Sequence, residues 1–80
     1  MSKSIDLVIV DTEFKKVICY APYNTVREGD TVITEAGNGQ VVETLYTFSS
    51  DDVFQFFKRN TTIYPIRAKL CGIDYEGLEV

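Results

Sequence analysis

Short extended runs, each closed by a turn signal, recur along this chain and limit its fold more than any other feature. The first is Ile5-Asp6-Leu7-Val8-Ile9-Val10. A β-branched run of that length reads as a strand and not as a helix. Glu13 to Lys16 makes a turn into a second strand over Lys16 to Ala21. Pro22 stops that strand, because it has no N–H to give a ladder. A polar connection over 22–29 ends at Glu28-Gly29-Asp30, where Gly29 suits a positive φ or a bulge. Thr31 to Glu35 is a third strand. Asn38-Gly39, within Gly37-Asn38-Gly39, is the strongest hairpin signal in the chain, and its partner strand is Gln40 to Phe48. Alternation there puts Val42, Thr44, Tyr46 and Phe48 on one face and Val41, Glu43, Leu45 and Thr47 on the other.

From Thr62 the pattern returns to period two. Tyr64, Ile66, Ala68 and Leu70 point one way; Ile63, Pro65, Arg67 and Lys69 point the other. Pro65 implies an edge strand or a bulge. Gly72 breaks the run, and Ile73 and Tyr75 begin a last strand. Between these two blocks the period changes. Ser49 or Ser50 can cap a short helix over about 50–59. Asp51 and Asp52 fall in its first turn and Lys58 and Arg59 in its last, which suits the macrodipole at both ends. Val53, Phe54 and Phe57 form one apolar stripe, and Asn60 is a stop. The expected fold is therefore mainly β (α+β): a small barrel of five or six short antiparallel strands, with one helix whose Phe54 and Phe57 plug an open end. The chain of 80 residues reads as a single domain, 1–80.

The stretch Gly29-Asp30-Thr31-Val32-Ile33 through Gly39-Gln40-Val41-Val42 resembles the hairpin of small SH3-like barrels. With Tyr20-Ala21-Pro22-Tyr23 before it, the region 5–48 also resembles, more loosely, the N-terminal DNA-end-binding domain of the bacterial primosomal helicase. The likeness implies a barrel fold. Such barrels host many unrelated tasks, so it implies no single function.

Several chemistries lack their residues. Histidine is absent, which removes the commonest general base and the commonest transition-metal ligand together. Cys19 and Cys71 stand far apart with no Cys-x-x-Cys spacing, so no zinc site is expected, and both are expected reduced and buried. Asp51-Asp52 are adjacent and share no helix face. Asp30 reads as a turn residue bonding local backbone. No catalytic constellation, metal or cofactor is expected, and the chain is read as a non-enzymatic module. No apolar stretch approaches a membrane span, and the start carries no secretion signal, so the expected location is cytoplasmic.

Charge is segregated along the chain despite a modest net −4. Residues 28–52 carry six acids and no cation; residues 53–70 carry four cations and no acid. Acidic strands lying beside basic strands would cancel these blocks in cross-strand pairs. Separate faces would instead make two binding surfaces. One is a basic patch of Lys58, Arg59, Arg67 and Lys69, with exposed Tyr23 or Tyr64 to stack on nucleic-acid bases. The other is an acidic face of Glu28, Asp30, Glu35 and Glu43. A protein partner, reached through an exposed strand edge or the acidic face, is expected slightly ahead of nucleic acid. A viral or mobile-element accessory protein that shows its acids to a host enzyme is a special case. Monomer and edge-strand dimer both remain open.

Overall fold

The computed structural model describes residues 4–49 and 62–78. The helix expected over 50–59, with Phe54 and Phe57, lies outside the described residues. Six strands are present among those described: β1 (Ser4–Thr12), β2 (Lys16–Pro22), β3 (Thr31–Thr34), β4 (Gly37–Ser49), β5 (Ile63–Cys71) and β6 (Asp74–Gly77). The sheet order is β2-β1-β4-β3-β5-β6, and a further β2–β5 pairing closes the first five into a small barrel. β6 is added outside that ring, on β5.

The ring is not wholly antiparallel as expected. β2 and β5 run parallel, with Ile18 opposite Ile63 and Tyr20 opposite Pro65. Parallel neighbours need a long crossover. The chain between them supplies one, since it contains β3 and β4. Pro65 sits where β5 pairs β2 on one side only, before its ladder to β3 begins at Ile66. Its missing N–H therefore costs no bond to β3 there.

The core fills the ring. Val8 and Val10 of β1, Val17, Cys19 and Ala21 of β2, Val32, Val41 and Ile66 pack together with Val26 from the β2–β3 loop. On the other side of β1, Ile5 and Leu7 form a second cluster with Ile18, Tyr20, Leu45 and Ile63. β1 is thus covered on both faces, which explains why its sequence is an apolar run and not a clean alternation.

Two predicted details change. The β3–β4 turn falls at Glu35-Ala36, with Thr34 paired to Gly37, and Asn38 and Gly39 lie inside β4 opposite Ile33 and Val32. Thr34 stabilises that turn: its Oγ1 donates to the Gly37 carbonyl at 2.8 Å and accepts from the Ala36 N–H at 3.1 Å. Gly39 is needed for a different reason. A Cβ there would lie 2.5 Å from the Asp11 carbonyl oxygen and 2.7 Å from Val10 Cγ1, so β1 and β4 approach only because it has none. The simple alternation read for β4 also fails. Register shifts at Leu7/Val8 and Ile9/Val10 insert Leu45 and Val42 as extra residues. Bulges of this kind bend a strand and raise its twist, and β4 must curl to help close so small a ring.

Candidate functional site

The charged residues were the first candidates, and the structure engages two of the described cations within the fold. Arg67 Nη2 pairs with Glu35 Oε1, joining β5 to the β3–β4 turn. Lys69 Nζ donates to the Thr25 carbonyl at 2.6 Å. The two side chains do not share a strand face as predicted. Ile33 lies opposite Ala68 but Thr34 lies opposite Ile66, so Arg67 is the extra residue of a bulge. Paired residues share a face, and the bulge puts both Ile66 and Lys69 on the side of the core residues Thr34 and Val32. Arg67 stays outside. Lys58 and Arg59 lie outside the described residues.

The aromatic candidates divide. Tyr23 is exposed in the β2–β3 loop. Tyr64 is half-buried and packs against the main core opposite Cys19, so it is no open stacking platform, contrary to expectation. In the acidic set, Asp30 is a turn residue as expected. Its Oδ2 accepts from the Arg27 N–H at 2.9 Å, its N–H donates to the Arg27 carbonyl, and its carbonyl accepts from Val41 N–H. Glu28 is exposed beside it, Glu43 is exposed opposite Ile9, and Glu35 is drawn to Arg67.

A different surface stands out at the β5–β6 hairpin. Cys71 and Asp74 are paired, leaving Gly72-Ile73 as a two-residue loop. Gly72 has φ +66 and Ile73 does not take a positive φ, the backbone signs of a type II′ turn. Ile73 is 95% exposed at the tip. Leu70 and Tyr75 are register partners, and both are exposed. All of β6 is exposed, and it ends the sheet order. Among the described residues β6 pairs only with β5, so its outer side is an open edge.

The thiols show little nucleophilic character. Burial pushes Cys19 up to about 12. Cys71 is exposed at the end of β5, not buried as expected, and its Sγ donates to Glu76 Oε2 at 3.3 Å; that bond and the neighbouring carboxylate raise its pKa. A raised thiol is a weaker nucleophile at neutral pH. Among the described residues no three His, Cys, Asp or Glu side chains converge as metal ligands. No described helix is long and apolar enough to cross a membrane.

Two positions that matter escaped the sequence reading. Asp6 is buried, and it accepts from Asn24 N–H at 2.9 Å and Thr47 Oγ1 at 2.6 Å. Its place among apolar neighbours in β1 was the available signal. The apolar hairpin surface was signalled only by Ile73 next to Gly72. Comparison of the chain with family models, curated proteins and solved structures gives no match.

Proposed function

We propose that this chain is a non-enzymatic small-barrel binding module, SH3-like in build, that serves as a protein adaptor or accessory subunit. In this reading it engages its partner through the β5–β6 hairpin. The observation that carries this reading is the open β6 edge, exposed along its length and flanked by Leu70, Tyr75 and Ile73. Sheet edges take up extended partner segments by main-chain hydrogen bonding, and adjoining side chains supply selectivity. Tyrosine is also among the residue types that dominate interface energies.

The nucleic-acid alternative receives less support. Arg67 is held by Glu35 and Lys69 by a carbonyl, and acids flank the exposed apolar side chains. Phosphate binding draws on free cations, and Arg67 and Lys69 are both engaged.

The test is affinity capture from source-cell extract, with and without nuclease, using the full chain and an Ile73→Asp/Tyr75→Ser variant. One stoichiometric protein, retained after nuclease and lost with the variant, is the expected result. Capture that disappears with nuclease, together with binding of labelled DNA or RNA at low salt, would overturn it in favour of the alternative.

A further inference from the structure

Each face of β6 presents a different chemistry, and this defines what the edge selects. Alternation places Asp74 and Glu76 on one face and Tyr75 on the other. Tyr75 lies opposite Leu70, so that face is apolar. On the acidic face Glu76 lies opposite Lys69 and Asp74 opposite Cys71. Neither acid forms an ion pair among the described residues: the Lys69 ammonium is taken by the Thr25 carbonyl, and Glu76 receives only the Cys71 thiol.

The main chain is equally ordered. Leu78 N–H donates to the Arg67 carbonyl at 2.9 Å. Antiparallel alternation then turns the main-chain groups of Glu76 and Asp74 towards β5 and those of Tyr75 and Gly77 towards the open side. An arriving strand would hydrogen-bond at Tyr75 and Gly77, and its side chains would alternate between an acidic and an apolar lane.

We infer that the β6 edge accepts an extended protein segment in which cationic and apolar side chains alternate, the cations meeting Asp74 and Glu76 and the apolar residues meeting Tyr75 and Leu70. The inference rests on the protein-binding reading above and specifies the partner segment. A second copy of this chain fits poorly in that place. Two β6 strands paired with each other put acids opposite acids, which destabilises a ladder. The same acids repel a phosphate backbone.

The experiment uses the ¹⁵N-labelled full chain and three capped heptapeptides: alternating lysine and valine, the same composition in two blocks, and alternating glutamate and valine. The alternating lysine peptide is expected to shift the Tyr75 and Gly77 amides. Its affinity should fall about tenfold in an Asp74→Lys/Glu76→Lys variant, which should then favour the glutamate peptide. Equal binding of the two lysine peptides overturns the inference, as do shifts confined to other strands, no binding at about 1 mM peptide, or self-association through β6. The two readings fail separately. If the peptides fail while the captured partner still depends on Ile73 and Tyr75, the alternating segment is wrong and the protein-binding surface stands. If nothing is captured and the peptides fail, both fall.

Discussion

Thr47 donates a 2.6 Å hydrogen bond from Oγ1 to Asp6 Oδ1 across the β1–β4 pair, while Oδ2 of the same carboxylate accepts the Asn24 N–H at 2.9 Å. One side chain thereby joins the first strand to the fourth and to the loop after the second. Asn24 has φ 59, and the bond to Asp6 holds it in that left-handed conformation. Asp6→Ala removes the acceptor and leaves the Asn24 N–H to find another, a cost of about 1–3 kcal/mol. Thr47→Val deletes one bond at an exposed position and should cost about 1 kcal/mol or less. Urea unfolding of both single variants and the double variant is the measurement. Because the residues share a bond, the double variant should lose less than the two single losses added.

Glycine at 39 is required by contact and not by dihedral angle. Gly39→Ala drives a methyl into the Asp11 carbonyl and Val10, backbone and core atoms that cannot swing away. The expected loss is about 1–3 kcal/mol. Gly77 is the control, since a Cβ there meets nothing within 4 Å. Gly77→Ala should stay within about 0.5 kcal/mol of the parent. Equal denaturation midpoints for the two variants would contradict the close approach of β1 and β4.

The segregated charge of the sequence is partly spent inside the fold. Glu35 from the acidic block and Arg67 from the basic block pair, and both side chains are more than half exposed. Exposed pairs of this kind contribute about 0–1 kcal/mol and weaken with salt. Glu35→Gln should therefore lower stability by less than about 1 kcal/mol, and the loss should vanish in high salt. A larger loss in thermal or urea unfolding, unchanged by salt, would mean that Glu35 does more than pair with Arg67.

Much of the barrel was legible because each strand carries a local signature: the β-branched run of β1, the stop at Pro22, the return of period two after Thr62. What escaped depends on long-range geometry. Asn38-Gly39 has the chemistry of a turn, but the pairing of Thr34 with Gly37 places the turn earlier and leaves Gly39 where β1 must come close. The bulge at Arg67 is equally silent in sequence, since only the register against β3 reveals it. That single extra residue separates Arg67 from Lys69 and dissolves the basic face that alternation implied. The hairpin surface was hard to weigh for a related reason. Ile73 and Tyr75 read only as the start of a last strand until the topology puts β6 outside the ring.

The two cysteines should react in strict order. Cys71 is exposed on β5 and Cys19 is buried within the ring, so a thiol reagent should modify Cys71 in the native protein and Cys19 only on unfolding. Cys71 should nonetheless react more slowly than an unhindered thiol at neutral pH. Its hydrogen bond to Glu76 holds the proton, and the carboxylate charge disfavours the thiolate. The rate should climb as pH rises through the raised pKa, since the thiolate is the reacting form. Glu76→Gln removes the charge and should shift that rate profile towards lower pH, making Cys71 faster at neutral pH. Iodoacetamide labelling followed by intact mass measurement across pH reads both effects. A profile unmoved by Glu76→Gln would show that the contact seen at 3.3 Å does not govern the thiol in solution.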